Sequence, residues 1–263
     1  MIKLSNKRCV ILDMDGTIYL GDTPIKNAVD FIIANWNNIN FYFLTNNTSK
    51  SPMSYVKKLN SMGIPAGLEH IISPVLPLVD YLRKNAISSA YVVGNHDFCN
   101  DLAQRMPELT MQDDYPQAVP QAVILAFDTE LTYKKLADSA LILQNFPDTI
   151  FLATHPDKVC PTNKGPIPDV GSFLDLYKTA TGRIPRCIFG KPDPNILNPI
   201  LQKFAKHEMV MAGDRLSTDK KLAERAGIDF ILVLSGEATL EEALAEDMPP
   251  TVIAEDLSKA WTY

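Results

Sequence analysis

Two aspartates, Asp13 and Asp15, stand one residue apart at the end of the apolar run Cys9–Leu12 and directly before Gly16. Residues i and i+2 of an extended segment project to the same side, so the two negative charges would repel each other. A divalent cation or a phosphoryl group would relieve or use that repulsion. Taken alone, the pair could form a metal site, a reactive centre or only a polar turn.

Three more apolar runs in the chain are followed at once by distinctive polar residues. These groups are Thr45-Asn46-Asn47 after Leu44, Gly190-Lys191-Pro192 after Phe189, and Gly213-Asp214 after Ala212, with Thr218 and Asp219 shortly beyond. Ligands of a doubly wound parallel sheet bind beyond the carboxyl ends of its strands, so all four groups are expected at one edge.

The residue types at this edge predict phosphoryl transfer. Several carboxylates together require a cation, and oxygen ligation favours Mg²⁺. A hydroxyl, two amides and one lysine suit a phosphoryl group, and the helix expected after Thr48 favours an anion at its N-terminus. One carboxylate could attack phosphorus to form an aspartyl-phosphate, while a second could protonate the leaving alcohol and later activate water.

The elements that must position these residues are short, continuous apolar runs spaced by helical segments. This pattern is typical of parallel strands covered on both faces, and it predicts an α/β protein. The predicted strands are Cys9–Leu12, Phe41–Leu44, Tyr91–Val93, Ala122–Phe127, Ile150–Ala153, Cys187–Phe189, Met209–Ala212, Phe230–Leu234 and Thr251–Ala254. Capping residues predict one helix from Ser51-Pro52 to Met62 and another from Ser217 or Thr218 to Ala226.

About 145 residues separate Thr45 from Lys191, whereas one βαβ crossover needs only about 30. The surplus predicts an inserted α/β domain at about residues 75–183, including the turn-rich stretch 154–171. The core, residues 1–74 and 184–263, is then discontinuous and is expected to be a doubly wound, Rossmann-like parallel sheet.

Bulk composition limits the partners and the compartment. The net charge of −6 and a pI near 5.2 argue against a nucleic acid or a membrane surface as partner. No segment has the length of a signal peptide core or a membrane span. The four cysteines lack Cys-x-x-Cys spacing and indicate reduced thiols, so we expect a cytoplasmic protein; they are Cys9, Cys99, Cys160 and Cys187.

The four polar groups, in this order, resemble the four motifs of the haloacid dehalogenase-like (HAD) hydrolase superfamily. The stretches 45–51, 153–157 and 180–183 are similar to the NagD and p-nitrophenyl phosphatase branch, which carries a large α/β cap between the second and third motifs. The resemblance covers nearly the whole chain. It implies an α/β core with an inserted cap, and a homodimer formed through that cap.

The resemblance also implies a role for each site residue. Asp13 is the expected nucleophile and Asp15 the acid/base, and Lys191 is expected to neutralise charge on Asp13 and the phosphoryl group. The expected phosphate ligands are Thr45, Asn46 and Asn47. The expected Mg²⁺ ligands are Asp13, the backbone carbonyl of Asp15, Asp214, and Asp219 through water.

Two cap loops depart from the branch's pattern. The chain has Thr154-His-Pro-Asp157 where the branch often has Thr-Asn-Pro-Asp, and Pro168-Asp-Val-Gly171 where it often has Pro-Gly-x-Gly. We take His155, Asp157, Cys160 and Asp169 as candidate substrate contacts. A surface position is the alternative for His155, and a packed thiol is the alternative for Cys160.

The sequence thus predicts a Mg²⁺-dependent phosphatase, a phosphoric monoester hydrolase. It would hydrolyse a small phosphate monoester, such as a sugar phosphate or nucleotide, through an aspartyl-phosphate. Dehalogenation needs no metal carboxylates, so Asp15 and Asp214 argue against it. A phosphomutase or phosphotransferase of the same superfamily, and a phospho-ligand-binding module without catalysis, remain as alternatives.

Overall fold

The computed structural model describes residues 2–115, 118–162 and 164–262. Residues 1, 116, 117, 163 and 263, which fall within the predicted domain ranges, lie outside the described residues.

All nine predicted strands form, with small shifts at their ends. The strands are β1 (Ile2–Lys3), β2 (Cys9–Asp13), β3 (Tyr19–Leu20), β4 (Thr23–Pro24), β5 (Asn40–Leu44), β6 (Ile71–Ile72), β7 (Ser89–Val93), β8 (Thr110–Gln112), β9 (Ala122–Leu125), β10 (Ile150–Ala153), β11 (Val159–Cys160), β12 (Ile167–Pro168), β13 (Cys187–Ile188), β14 (Met209–Gly213), β15 (Asp229–Val233), β16 (Val252–Ala254) and β17 (Trp261–Thr262). The α-helices are α1 (Lys26–Asn35), α2 (Pro52–Ser61), α3 (Val75–Lys84), α4 (His96–Arg105), α5 (Tyr133–Asn145), α6 (Val170–Thr181), α7 (Asn198–Leu201), α8 (Lys221–Ala226) and α9 (Leu240–Leu244). The predicted α/β class with parallel sheets is confirmed.

The chain divides into two compact units, of which the first consists of Met1–Thr45, Met53–Ile72 and Lys191–Tyr263. Its sheet has the order β16-β15-β14-β2-β5-β6, with all neighbours parallel. From β2 the chain builds outward in one direction through β5 and β6, and in the other through β14, β15 and β16. The order therefore reverses between β2 and β14, which is where such sheets bind ligands.

The central strands of the first unit are buried on both faces, because alternate residues enter two separate cores. Val10 and Leu12 pack into one core with helix α1, and Cys9 and Ile11 pack into the other with helix α8. This double burial explains why β2 reads as a continuous apolar run rather than an alternating one.

The second unit consists of Asn46–Pro52 and Ser73–Gly190. Its parallel sheet has the order β13-β10-β9-β7-β8. Helices α3 and α4 cover one face of the sheet, and α5 and α6 cover the other. The assignment of residues 75–183 as a substrate-specificity cap stays a prediction.

The segment Asn46–Pro52 belongs to the second unit, although the chain on either side of it belongs to the first. The Thr48 hydroxyl accepts a hydrogen bond from the Phe127 N–H (3.1 Å). The Asn95 side chain donates to the Ser49 carbonyl (2.7 Å). Helix α2 then begins at Pro52, as the sequence predicts, with Pro in the first turn where its missing N–H costs nothing.

The predicted helix near Thr218 begins earlier and in a different form. Leu216–Lys220 is a π-helical turn that leads into α8, which ends at Gly227 in the left-handed conformation. Such turns insert an extra residue into a helix and are frequent at functional sites.

A membrane-spanning helix is not found among the helices of the described residues. The longest of them, α5, has 13 residues, whereas a bilayer crossing takes about 20.

Candidate active site

Three buried carboxylates converge at the carboxyl ends of β2 and β14. Asp13 ends β2 and Asp214 follows β14, so the pairing of these strands brings the two side chains together. Asp219 joins them from the π-helical turn. Carboxylate oxygens of all three lie within 4.8 Å of one another, and the three residues are 8%, 3% and 0% exposed.

Lys191, the first residue after the second unit, faces this cluster. Its amine forms an ion pair with the Asp13 carboxylate and a second one with Asp219, at 2.7 Å from Oδ1. The Lys191 side chain is only 4% exposed. Arg215 also favours the ionised form of Asp214, but it pairs with Glu237, so the three carboxylates keep an excess of negative charge.

The electrostatics of the cluster favour a further cation. Burial raises the pKa of Asp13, and the charges of Asp219 and Asp214 add to that effect, while Lys191 opposes it. Burial, together with Asp219, raises the pKa of Asp214 to about 6. Burial works against the Lys191 ammonium, but the Asp13 and Asp219 carboxylates outweigh it and raise the pKa of the amine.

The Asp214 carboxylate occupies space that is open only because residues 16 and 236 are glycines. A Cβ on Gly16, which has φ +89°, would lie 2.2 Å from Asp214 Oδ2, and one on Gly236 would lie 2.0 Å from the same oxygen. Both distances are far inside van der Waals contact, so any side chain there would displace the carboxylate. The conformation of Gly16 is also one that residues with a Cβ rarely adopt.

The hydrogen bonding of Asp214 is incomplete. The Glu237 N–H donates to Oδ2 at 2.8 Å. Oδ1 is buried and has no hydrogen-bond partner among the described residues. Buried carboxylate oxygens almost always have a partner, so an exception beside two other acids fits the position of a metal ligand.

Asp219 is held by its own local backbone. Its N–H and that of Lys220 both donate to the Arg215 carbonyl (3.1 Å each). The Arg215 N–H donates back to Asp219 Oδ2 at 3.2 Å. A Cβ on Gly213 would lie 2.3 Å from the same oxygen, so the π-helical turn presses this carboxylate against the end of β14.

The other predicted residues of the first unit lie close by in sequence but differ in setting. Asp15 is exposed and lies outside the three-carboxylate cluster. It forms a backbone bridge to Tyr19, and its carboxylate lies 3.5 Å from the Gly21 N–H. Thr45 directly follows β5, is 7% exposed and donates its N–H to the Ile72 carbonyl (3.0 Å).

A separate polar cluster in the second unit contains four of the predicted binding residues. His155 is fully buried, with Nε2 3.5 Å from Asp169 Oδ1 and Nδ1 3.8 Å from Asp157 Oδ2. The Asn46 side chain donates to both Asp157 oxygens, at 3.1 and 3.2 Å. Asp169 caps helix α6 by accepting from the Val170 N–H (2.7 Å). The surface position considered for His155 is therefore wrong.

Two further predicted residues of the second unit meet each other. The Asn47 amide lies 3.9 Å from the Cys160 sulfur, a weak hydrogen-bond contact. Asn47 Oδ1 also accepts from the Ser49 N–H (2.9 Å) and hydroxyl (2.7 Å). Asn47 thus shapes the segment Asn46–Pro52 from within.

Sequence reasoning missed the groups that frame the acids rather than the acids themselves. Gly236 and the Glu237 N–H follow β15 and lie against Asp214, but glycine has no side chain and Glu237 contributes its backbone rather than its carboxylate. The only available signal was Gly236 two residues after the predicted strand Phe230–Leu234.

Two family models match the chain, one described as haloacid dehalogenase-like hydrolase over residues 10–105 and one as HAD-hydrolase-like over residues 188–260. An acid sugar phosphatase from Staphylococcus epidermidis is 30% identical over 98% of both chains. The chain belongs to the haloacid dehalogenase-like hydrolase family. The predicted resemblance and the hydrolase class are confirmed.

Solved structures of this family share the whole fold. A 4-nitrophenylphosphatase from Thermotoga maritima matches with a TM-score of 0.87 and 33% identity over 97% of both chains. NagD from E. coli K-12 matches with a TM-score of 0.83 and 25% identity, over 96% of this chain and 98% of that one. A glycerol phosphate phosphatase from Mycobacterium tuberculosis, solved with magnesium, matches with a TM-score of 0.85 and 26% identity, over 97% of this chain and 77% of that one.

Proposed function

We propose that this HAD-family hydrolase is a Mg²⁺-dependent phosphatase that hydrolyses a small phosphate monoester through a phosphorylated Asp13. The observation that carries the proposal is the buried cluster of three carboxylates facing one lysine. Such a cluster costs folding free energy unless a cation and a bound anion use its charges. The family hydrolases that it resembles include phosphatases by name.

The residues of the cluster fit a divalent cation. Asp13, Asp214 and Asp219 would hold it, since their oxygens lie within 4.8 Å of one another and Asp214 Oδ1 has no other partner among the described residues. Oxygen ligands of this kind suit Mg²⁺. When bound, the ion would stabilise negative charge on the phosphoryl oxygens.

Asp13 is the proposed nucleophile. One of its oxygens would form a bond to phosphorus as the ester oxygen leaves, which gives an acyl phosphate and divides the displacement into two steps. The Lys191 ammonium favours the ionised form of Asp13 and so opposes burial, which still raises the pKa of that carboxyl. A bound cation would favour the ionised form further. The same ammonium would offset the charge of the transferred group.

Asp15 is the proposed acid/base, and its exposure suits a group that meets the leaving alcohol and then a water molecule. It would give a proton to the departing oxygen in the first step. In the second it would take a proton from the water that attacks phosphorus and releases phosphate from Asp13. Thr45, Asn46 and Asn47 complete the proposal as phosphate ligands.

The substrate class is proposed from the relatives and the second unit. The names of the relatives, an acid sugar phosphatase and a glycerol phosphate phosphatase, support a sugar or polyol phosphate. His155, Asp157, Cys160 and Asp169 are the proposed residues of the substrate-specific region. A homodimer through this unit and a cytoplasmic location belong to the same proposal, and net charge −6 supports the expectation of no nucleic-acid or membrane partner.

The test is hydrolysis of 4-nitrophenyl phosphate with Mg²⁺ and with EDTA, beside the Asp13→Asn variant. We expect turnover only with Mg²⁺, and a loss of roughly a thousandfold or more in the variant because it lacks the nucleophile. Undiminished turnover by Asp13→Asn would contradict the acyl phosphate.

A panel of sugar phosphates, glycerol phosphate and nucleotides then ranks the natural substrate class. Phosphate transfer to a second sugar, rather than release of inorganic phosphate, would indicate a mutase or phosphotransferase. Binding of the esters without turnover of any of them would indicate a binding module.

A further inference from the structure

A short hairpin directly follows the proposed acid/base. Strands β3 and β4 pair antiparallel, and the turn between them passes through Gly21 at φ +57°. The base of the hairpin is tied to Asp15 by the backbone bridge between Asp15 and Tyr19, and by the Gly16 N–H donating to the Tyr19 carbonyl (2.7 Å). The Gly21 N–H faces Asp15 Oδ1 at 3.5 Å. The position of the Asp15 carboxylate therefore follows that of the hairpin.

Lys58 of helix α2 reaches across to hold this hairpin. Its amine donates to the Gly21 carbonyl at 2.5 Å and lies 3.7 Å from the centroid of the Tyr19 ring. It also lies 3.7 Å from Asp22 Oδ1. The side chain is 22% exposed and Tyr19 is 3% exposed, so the ammonium sits on the ring face largely away from water, where the cation–π attraction is strongest.

Lys58 contacts the hairpin both at its base and at its turn. The ring contact fixes Tyr19, which bridges to Asp15, and the carbonyl contact fixes Gly21, whose N–H faces the Asp15 carboxylate. A neutral side chain at position 58 would lose the cation–π attraction and the charge-assisted hydrogen bond together. The rest of the hairpin has only two residue pairs, too few to be rigid by themselves.

We propose that Lys58 is a positioning residue for Asp15: through the Tyr19–Pro24 hairpin it holds the acid/base where it can protonate the leaving group. This inference rests on the proposed function. It does not involve the metal cluster, and in this role Lys58 acts through the hairpin rather than on the reacting atoms.

The experiment compares two leaving groups in the Mg²⁺-loaded enzyme. Nitrophenolate leaves readily without a proton, whereas the alkoxide of glycerol phosphate needs one, so only the second substrate depends strongly on a general acid. The ratio kcat/KM reports the steps up to the first irreversible one, which here is loss of the leaving group. The later hydrolysis of the phosphorylated Asp13 therefore does not affect it. Misplacing a general acid forfeits part of its usual hundredfold or larger contribution.

We expect Lys58→Met to lower kcat/KM for glycerol phosphate by roughly tenfold or more and for 4-nitrophenyl phosphate by less than about threefold. Asp15→Asn should show the same selectivity with a larger loss. Lys58→Arg should recover most of the activity, since it keeps the charge. Lys57→Met, at the exposed neighbouring position on the same helix, should match the wild type with both substrates.

Equal losses for both substrates, or no loss for either, would overturn the positioning role, because a purely structural residue has no preference between leaving groups. Should Lys58→Met not fold, Lys58→Gln carries the same expectation, as it keeps a long stem but no charge. A wild type that hydrolyses neither ester would refute the proposed function itself, and the two failures are therefore distinguishable.

Discussion

Each unit of this protein contains a cluster of carboxylates with low exposure, and the two clusters have different partners. In the first unit, Lys191 forms ion pairs with Asp13 and Asp219, and Asp214 Oδ1 is buried without a hydrogen-bond partner among the described residues. In the second unit, Asp157 and Asp169 share the imidazole of His155.

The carboxylates of the second cluster also accept hydrogen bonds from amide groups of the protein. Asn46 donates to both oxygens of Asp157, and the Val170 N–H donates to Asp169. Buried charge is tolerated when the fold supplies its partners. The comparison predicts an architectural role for the cluster whose donors come from its own chain, in addition to its proposed place in the substrate-specific region. The cluster left with excess charge is the proposed site of the cation and the phosphoryl group.

The comparison predicts that removing His155 mainly damages stability. His155→Ala would remove a fully buried side chain and take the imidazole away from buried Asp169 and half-buried Asp157. We expect the free energy of unfolding to fall by about 3 kcal/mol. Denaturant unfolding measures this change. His96→Ala, at an exposed position on α4, is the control and should change stability by less than about 0.5 kcal/mol. An unchanged midpoint in His155→Ala would show that this cluster is not architectural.

Removing an acid from the first cluster should mainly weaken Mg²⁺ binding and have little effect on the stability of the metal-free protein. Asp214→Asn is expected to weaken Mg²⁺ binding more than a hundredfold, about 2.7 kcal/mol, while the metal-free protein keeps its stability or gains some as repulsion is relieved. Thermal unfolding with and without Mg²⁺ tests both statements. A variant that Mg²⁺ still stabilises as much as the wild type would remove Asp214 from the metal site.

Gly182 and Gly16 both have a left-handed backbone, but only at Gly16 would an added side chain also displace the Asp214 carboxylate. Gly182 at the end of α6 has φ +71° and open space around its Cβ position, so Gly182→Ala should cost only about 1 kcal/mol. Gly16→Ala adds the collision with Asp214, and we expect a total of about 2 kcal/mol together with weaker Mg²⁺ binding. Urea unfolding and metal titration measure the pair, and equal behaviour of the two variants would contradict the packing of Gly16 against the carboxylate.

The smallest expected effect is a pH dependence of the metal-free protein. Burial raises the pKa of Asp13, and that of Asp214 to about 6, so the folded state binds more protons than the unfolded state above about pH 4. Stability should then fall as pH rises, by roughly 1 kcal/mol between pH 5 and pH 6. Unfolding in EDTA measures the slope, which Asp214→Asn should reduce and saturating Mg²⁺ should abolish. A rise in stability across this range without metal would refute the excess of charge.

The sequence was sufficient to locate the central strands and the acids at their ends. Strands such as β2 and β14 are buried on both faces, which produces apolar runs that end abruptly in polar residues. Parallel pairing then places those ends at one edge, whatever the details of the loops. The edge strands β6 and β8 were not predicted, because two or three residues become a strand only through a neighbour.

What the sequence could not show depends on contacts between distant residues. The place of the segment Asn46–Pro52 in the second unit rests on bonds such as Thr48 to Phe127, which no local pattern announces. The π-helical turn at Leu216–Lys220 depends on packing of Asp219 against Gly213. The Glu237 N–H contributes a backbone donor, which every residue except proline possesses.

The connections between the two units have a consequence for engineering by domain exchange. The chain changes unit at four places, and two of them fall inside the proposed phosphate-handling motifs, between Thr45 and Asn46 and between Gly190 and Lys191. A chimera that takes the second unit from a relative must therefore also take residues 46–52, or their side chains will face a foreign surface. Transplanting this unit to alter the proposed specificity means recombining within the proposed catalytic motifs. Asn46, Asp157 and Gly190 then have to be exchanged as one set, because Asn46 donates to Asp157 and a Cβ on Gly190 would lie 2.5 Å from Asn46 Oδ1.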